Sequence, residues 1–421
     1  MRSEIIVDKI ITSNRKLAIH FHCNGEIANY LKGDLFTAEY DCSIENVPES
    51  ILIIPFLSNI CPIAWITDTS IYCRQIDEQF LGSLNVIRDS FQMLYPKLFW
   101  KGNLYSENIV NNHEHYNKSG LRSAMFFSGG IDSMAAYIQI KRENPILFTV
   151  WGADIDVDNH EGWQPVITEI SNFANSKDTT VSVIKSNFRA IINYISISAA
   201  FKQMIGGHWW PNVQHGLGII GLSAPVTYQE PINKLYFAAT LNPSFNIPLG
   251  SRPEIDNNIT WGGNSFQVFH QGYELTRHEK VALISDYIKK YDPNLKIRVC
   301  WLSKEGGNCS ICEKCTRTII SMILEGLTPA NHGFRHVDAN VLKEILYKLE
   351  NNGYITPEYM FYYNDIKKRI RTKKENLPKF SKEFFNWLES VDFNRVYEKY
   401  IRRTKWYYYK GMAKNIINKF I

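Results

Sequence analysis

Two serines, an aspartate and a pair of glycines lie together in the segment Phe127-Ser128-Gly129-Gly130-Ile131-Asp132-Ser133. The apolar run from Ser123 to Phe127 predicts a buried strand before this segment, and the run from Met134 to Ile140 predicts a helix after it. A loop from a strand to a helix gathers backbone N–H groups and the positive end of a helix dipole. Both favour a bound phosphate, so the segment predicts a phosphate-binding loop.

Each residue type in this loop suits that chemistry. Gly129 and Gly130 lack the Cβ atoms that would oppose a left-handed backbone or close approach of a ligand. Ser128 and Ser133 can donate hydroxyl hydrogen bonds to phosphate oxygens. Asp132 would be repelled by a phosphate, so it suits either Mg²⁺ or the N–H groups of the first helical turn. The alternative interpretation is a glycine-rich turn with a Ser/Asp cap.

A cluster of four cysteines forms the second motif, with the spacing C-x8-C-x2-C-x2-C: Cys300, Cys309, Cys312 and Cys315. Four thiolates suit tetrahedral Zn²⁺ and leave no open position for water, which predicts a structural rather than a catalytic metal site. An iron–sulfur cluster is the alternative. The remaining four cysteines have no motif spacing and are most simply small buried hydrophobic residues: Cys23, Cys42, Cys61 and Cys73.

Together the two motifs resemble the PP-loop ATP pyrophosphatase superfamily and, within it, the 7-cyano-7-deazaguanine synthase family. That family combines an SGGxDS loop with a late zinc site of the same cysteine spacing, followed closely by an arginine, here Arg317. The resemblance covers residues 120 to about 330. It implies that a substrate carboxylate attacks the α-phosphorus of ATP and expels pyrophosphate. Ammonia or an amine then displaces AMP, which gives an amide and, after a second activation, a nitrile.

The resemblance also implies roles for individual residues. Asp132, Ser133 and Arg317 would be catalytic, with Arg317 reaching the pyrophosphate. The alternative for Arg317 is that it only pairs with a carboxylate. ATP would contact the phosphate loop and the end of the second strand, with Mg²⁺ beside it: Ser128, Gly129, Gly130, Asp132, Ser133, Val150 and Gly152. The four clustered cysteines would bind structural Zn²⁺.

The chain departs from the family where the substrate is expected to bind. The loop after the second predicted strand reads Val150-Trp151-Gly152-Ala153-Asp154, and residues 248–256 replace the family's substrate segment. We therefore expect a specialised, unidentified carboxylate or base-like substrate. His215, Ser251 and Arg252 are candidates to contact it. Aromatic core packing is the alternative for His215, and a surface salt bridge is the alternative for Arg252.

Two other functions are compatible with the phosphate loop. A tRNA-modifying thiolase would need redox-available cysteines outside a closed metal site, and the scattered cysteines offer no obvious pair. A nucleotide-binding regulatory subunit without turnover is the other. The presence of Asp132 and both serines argues against it.

Alternating strands and helices predict an α/β fold with a doubly wound, mostly parallel sheet of the PP-loop ATPase type. Residues 1–115 predict a β-rich accessory domain, with short strands at Leu17–Phe21, Ile51–Pro55 and Ile63–Ile66 and a helix at Glu78–Leu94. Residues 119–330 predict the ATP-binding catalytic domain, including the zinc-binding segment. Residues 331–421 predict a basic helical region.

Charge is uneven along the 421 residues, whose formal net charge is +5. From Asn351 to Ile421 there are 16 Lys and Arg against 7 Asp and Glu, or +9, so the remainder is −4. A protein or RNA partner could bind through the basic region or the N-terminal domain. The alternatives for the basic region are an anionic membrane surface and a solvated helical face with aromatic packing. A homodimer is also compatible with the sequence. No run approaches the ~18 apolar residues of a membrane span, and we expect a cytoplasmic protein.

Overall fold

The computed structural model describes residues 3–113, 121–245, 247–263, 266–351 and 353–417. The chain divides into two compact units. The first comprises Met1–Glu274 with Lys304–Gly306, and the second comprises Leu275–Ser303 with Gly307–Ile421. The domain boundary predicted at residues 115–119 lies outside the described residues. Across the described ranges, no helix is both long and apolar enough to cross a membrane.

The strands of the described residues form one ten-stranded sheet in the first unit. The strands are β1 (Glu4–Ser13), β2 (Lys16–Asn24), β3 (Leu35–Tyr40), β4 (Ser70–Asp77), β5 (Leu104–Val110), β6 (Arg122–Phe126), β7 (Ile146–Trp151), β8 (Val181–Ser186), β9 (Ile232–Ala238) and β10 (Gln267–Gln271). Their order is β10-β9-β6-β7-β8-β3-β2-β1-β4-β5. Pairing is antiparallel from β8 through β3 and β2 to β1, and parallel elsewhere. The predicted α/β fold with a mostly parallel sheet is thus confirmed, and its PP-loop type stays a prediction.

The sheet joins the N-terminal strands to the strand that precedes the glycine loop. β3 pairs antiparallel with β8, so that Ala38 lies opposite Ser186 and Tyr40 lies opposite Ile184. The strands of residues 1–115, predicted as an accessory domain, therefore continue the sheet that carries the predicted phosphate loop.

The parallel strands β6 to β10 are doubly wound around β6. β7 and β8 follow it on one side, and β9 and β10 lie on its other side. The direction of the crossovers therefore reverses between β6 and β9. In open α/β sheets, ligands bind in the crevice outside the carboxyl ends of the strands at such a switch point.

The first unit also contains nine α-helices among its described residues. They are α1 (Glu49–Leu52), α2 (Ile54–Ile66), α3 (Glu78–Leu94), α4 (Ile131–Ile140), α5 (His160–Asn175), α6 (Tyr194–Ile205), α7 (His215–Leu222), α8 (Ala224–Gln229) and α9 (Pro253–Asp256). The predicted helix at Glu78–Leu94 is confirmed. Its N-cap, Asp77, accepts the Phe80 N–H at 2.9 Å.

The strands predicted at Ile51–Pro55 and Ile63–Ile66 are wrong, because both segments are helical. In α2 every residue from Ile54 to Trp65 is buried. A helix that is buried on all sides has no polar face, so its apolar run shows no helical period and resembles a buried strand.

The second unit is helical. Its helices are α10 (Arg277–Tyr291), α11 (Glu313–Leu324), α12 (Ala339–Asn351), α13 (Pro357–Lys373), α14 (Lys382–Ser390) and α15 (Phe393–Ile417). A capping box begins α10, in which Thr276 and Glu279 bond to each other's backbone N–H groups. The clustered cysteines lie between α10 and the first turn of α11.

Candidate functional site

The glycine loop connects the carboxyl end of β6 to α4 at the switch point between β6 and β9. Residues Ser123 to Phe127 are buried, and α4 begins at Ile131 directly after the N-cap Gly130. Gly129 has φ +72°, where a side chain is disfavoured, whereas Gly130 has φ −84°. Only the first glycine therefore needs its conformational freedom. Because Gly130, the N-cap, has no side chain, no side-chain oxygen of the N-cap bonds to the N–H groups of the first turn of α4.

Two serines hold the loop in shape. The buried Ser133 hydroxyl accepts the Ser128 N–H at 3.3 Å and donates to the Gly130 carbonyl at 3.2 Å. The exposed Ser128 hydroxyl lies 3.2 Å from Ser133 Oγ and accepts the Gly130 N–H at 3.4 Å. Asp132 is half-buried in the first turn of α4. The loop thus brings together all five predicted phosphate-loop residues, with Ser133 as its internal brace.

The loop after β7 lies beside the glycine loop, because β7 pairs directly with β6. Val150 is half-buried near the end of β7, and Gly152 follows the strand with φ +116°. The Gly152 N–H donates to the Ile155 carbonyl at 3.0 Å. The Trp151 side chain also stabilises the loop, because its Nε1 donates to the Asp156 carbonyl at 2.9 Å. A tight, anchored turn therefore occupies the predicted nucleotide-binding position.

His215 lies at the start of α7, directly after a π-helical turn at Trp210–Gln214. The His215 N–H donates to the Trp210 carbonyl, and the two rings are 5.1 Å apart. The His215 ring also contacts Phe237 of β9 at 5.7 Å. Because a π turn brings residues five apart onto one face, it aligns these two aromatic rings. His215 is half-buried in this aromatic group, and its contact with a substrate stays a prediction.

Ser251 and Arg252 are both buried and engaged by neighbouring protein groups. The Ser251 hydroxyl donates to Asp256 Oδ2 at 2.6 Å. Arg252 donates to the Ile247 carbonyl at 2.8 Å and pairs with Glu254 at 3.1 Å. The salt-bridge alternative therefore describes the contacts of Arg252, although the Arg252 side chain is buried and only the Glu254 side chain is exposed. A substrate role for either residue stays a prediction.

The four clustered cysteines of the second unit converge on one point. Their sulfur atoms all lie within 4.8 Å of one another. Two separations are 4.0 Å, between Cys300 and Cys312, and 3.9 Å, between Cys309 and Cys315. Zn–S bonds of about 2.3 Å in a tetrahedron place sulfurs ~3.8 Å apart. The cluster could thus hold a structural metal such as zinc, with thiolates in all four positions.

Local turns aim these sulfurs. Ser310 has φ +57°, and the Cys312 N–H donates to Cys309 Sγ at 3.3 Å. Cys312 is also the N-cap of α11, where its sulfur accepts the Cys315 N–H at 3.4 Å. Hydrogen bonding from Cys315 lowers the pKa of Cys312 to about 5, against the opposing effect of burial. Thiolate, the form that ligates metal, is therefore favoured at this position.

Asn308 ties the two parts of the cysteine motif together. Its side-chain oxygen accepts the N–H groups of Val299 at 2.8 Å and Cys300 at 3.2 Å. Its side-chain nitrogen donates to the carbonyls of Ile297 at 2.7 Å and Gly333 at 2.9 Å. One amide thus holds the segment that carries Cys300 against the segment that carries the other three cysteines.

Arg317 lies in α11, two residues after Cys315, and is buried. It pairs with Glu313 at 3.2 Å, and its guanidinium lies 3.8 Å from the ring centre of Tyr362. Burial lowers the pKa of Arg317, but the combined effect of Glu313, Tyr362 and Tyr363 outweighs burial and raises that pKa. The contacts are those of a paired, aromatic-covered arginine, and its catalytic role stays a prediction.

Sequence reasoning did not single out Asn59, Arg189 and Tyr194, which form one group of contacts with Trp210 and Gln214. Arg189 follows the end of β8 and contacts the loop after β7 through the Ala153 carbonyl. A charged residue just after a predicted parallel strand was the only signal that could have indicated it. Its partners are scattered along the chain and carry no motif.

Comparison of the chain with family models, with curated proteins and with solved structures gives no match. The functional argument therefore depends on the geometry of the two motifs.

Proposed function

We propose that this protein uses ATP to adenylate a carboxylate-type substrate and then forms an amide or a nitrile from it. The observation that carries the proposal is the position of the glycine loop. It lies at the switch point between β6 and β9, where a helix N-terminus and a serine-braced loop meet. This is the place in a doubly wound sheet where phosphate-bearing ligands bind.

The proposed reaction assigns a task to each part of the crevice. The glycine loop binds the phosphates of ATP, and the loop after β7 contacts the rest of the nucleotide. A carboxylate oxygen of the substrate attacks the α-phosphorus, and pyrophosphate leaves with the electrons of the broken P–O bond. Ammonia or an amine then attacks the acyl carbon and AMP leaves. Asp132 would help to hold Mg²⁺, which would neutralise the phosphate charge.

The state of the scattered cysteines favours this proposal over a thiolase. Burial raises the pKa of both Cys42 and Cys73 to about 11. Burial also raises the pKa of Cys61 far above its ordinary value. A thiol with a raised pKa is a poor nucleophile near neutral pH, because the thiolate is the reactive form. These cysteines therefore suit hydrophobic packing better than sulfur transfer.

The experiment that tests the proposal measures AMP and pyrophosphate released from ATP on addition of candidate carboxylates with ammonia or amines. Asp132→Ala should lower AMP formation by about 100-fold or more, because a group that stabilises transition-state charge is lost. The matched control is Asp89→Ala, which removes an exposed carboxylate from α3 of the same unit. Turnover by Asp132→Ala at the rate of the control would refute the assignment. Bound ATP without turnover across a broad panel would instead favour a regulatory subunit.

A further inference from the structure

Arg189 is a half-buried arginine that lies just beyond the carboxyl end of β8, on the same sheet edge as the glycine loop. Its Nη1 donates to the Ala153 carbonyl in the loop after β7. Its Nε donates to the Tyr194 hydroxyl at 3.3 Å. The guanidinium also lies 4.3 Å from the ring centre of Trp210. Every one of these partners is electrically neutral.

No carboxylate pairs with Arg189 among the described residues. By contrast, Arg252, Arg317 and Arg369 each pair with a glutamate. A partly desolvated cation is costly unless an anion compensates it. An arginine with neutral protein partners, at the edge of a ligand crevice, therefore has capacity left for an anion from outside the chain.

A buried polar network fixes the position of this guanidinium. The Tyr194 hydroxyl donates to Gln214 Oε1 at 2.5 Å, and Gln214 Nε2 donates to Asn59 Oδ1 at 2.7 Å. Asn59 Nδ2 donates in turn to the Pro55 carbonyl at 2.9 Å. Gln214 and Asn59 are fully buried. Each donor in this series of hydrogen bonds has an acceptor. The network therefore holds Tyr194, and through it Arg189, in one orientation.

Aromatic contacts connect Arg189 to the strand that precedes the glycine loop. Trp210, beneath the guanidinium, contacts His215 at 5.1 Å, and His215 contacts Phe237 at 5.7 Å. Phe237 in turn contacts Phe126, the last residue of β6, at 5.6 Å. β6 and β8 are separated by β7, which puts their axes roughly 10 Å apart. A ligand of that length could contact both the glycine loop and Arg189.

We propose that Arg189 binds an anionic group, a carboxylate or a phosphate, of a small molecule in this crevice. Either the acceptor substrate or the nucleotide can supply that group, and both would form charge-assisted hydrogen bonds with the guanidinium. The statement that the acceptor substrate supplies the anionic group rests on the proposed function, whereas the statement that Arg189 binds an anion does not. The π turn and the polar network hold Arg189 in place at the same edge of the sheet as the glycine loop.

The test measures binding of two defined probes, inorganic phosphate and the non-cleavable analogue α,β-methylene-ATP, by equilibrium dialysis. Arg189→Gln should weaken binding of at least one probe by about tenfold or more, because a hydrogen bond to a charged group is lost. Saturating analogue fills the nucleotide site. If phosphate still binds to the wild type under that condition but not to Arg189→Gln, the acceptor substrate supplies the anionic group. A tenfold weaker analogue in Arg189→Gln identifies the nucleotide.

Controls separate this result from a general loss of charge or of structure. Arg142→Gln removes an exposed arginine from the turn after α4 and should leave both affinities unchanged. Arg189→Lys keeps the charge but cannot make both protein bonds, so it should bind more weakly than the wild type. It also serves if Arg189→Gln does not fold. Wild-type affinity of a folded Arg189 variant for both probes overturns the proposal. Asp132→Ala should retain the phosphate site even where AMP formation is lost.

Discussion

Replacement of Gly152 by alanine tests the geometry of the loop after β7. The added Cβ would lie 2.0 Å from the carbonyl oxygen of Ser186 and 2.9 Å from Cγ1 of Val157. Ser186 ends β8, so the nearest obstacle is backbone held in the sheet rather than a mobile side chain. Gly152 also has φ +116°, where L-residues are strained. The loop must therefore move away from β8.

The expected loss of stability has two parts. Ordinary contact requires roughly 3.4 Å or more, so the backbone must shift by over ~1 Å, and overpacking of this kind costs about 1–3 kcal/mol. The positive φ adds about 1–3 kcal/mol of strain. We expect the free energy of unfolding to fall by about 2–6 kcal/mol, a large part of the ~5–15 kcal/mol of a typical domain. Under conditions where the variant stays folded, the proposed binding of ATP should also weaken.

Urea denaturation followed by circular dichroism measures this change, with nucleotide affinity measured separately at low temperature. Gly82→Ala is the matched control, because nothing lies within 4 Å of its added Cβ and the residue is in the interior of α3. That substitution should stabilise the protein by about 0.5–1 kcal/mol, since alanine favours a helix. A Gly152→Ala variant within about 0.5 kcal/mol of the wild type would contradict the close approach of this loop to β8.

Two further outcomes concern the second unit. Cys312→Ser should lower the zinc content of the purified protein and destabilise the unit, whereas Cys23→Ser should not, as metal analysis and thermal melts can show. Glu325 is buried and contacts His278 at 2.8 Å, Arg369 at 2.7 Å and Lys373 at 3.1 Å. Burial raises its pKa, but the three partners together outweigh burial and hold that pKa well below its ordinary value. Its stabilisation should be present above pH ~4.3 and decline as pH falls further. Glu325→Gln should lower the free energy of unfolding at pH 7 by about 3 kcal/mol. It should also reduce the loss of stability between pH ~4.3 and lower pH, and urea denaturation at a series of pH values measures both effects.

The parts of the fold that the sequence predicts correctly have strong local patterns. The helix at Glu78–Leu94 has a polar cap before it and an amphipathic face. The strand β6 is a short apolar run bounded by a glycine turn. The strands predicted at Ile51–Pro55 and Ile63–Ile66 are wrong because burial of α2 on all sides removes the period that separates helix from strand.

The continuity of the sheet has no local signal. Pairing of β3 with β8 joins Ala38 to Ser186, residues that are far apart in the chain. Strand periodicity predicts which residues form a strand, but it does not say which strand lies beside it. A separate N-terminal sheet and a shared sheet therefore fit the sequence equally well.

The candidate sites divide in the same way. Ser128 and Ser133 are five residues apart, and Cys309 and Cys315 are six apart, so their contacts follow from local spacing. The contact between Asn59 and Gln214 spans 155 residues and depends on how α2 and the π turn meet. Spacing therefore predicts the two motifs, whereas the residues that orient Arg189 require the folded structure.

The N-terminal strands have a direct effect on the crevice. The Asn187 side chain accepts the Thr37 N–H at 2.8 Å and donates to the Leu35 carbonyl at 2.9 Å. The Ser186 hydroxyl donates to the Thr37 carbonyl at 2.7 Å. These bonds fix the end of β8, three residues before Arg189, against β3. Asn59 of α2 lies at the other end of the polar network that begins at Tyr194, so residues of the first 115 contact both the end of β8 and the network that orients Arg189. We infer that this part of the chain shapes the far wall of the crevice.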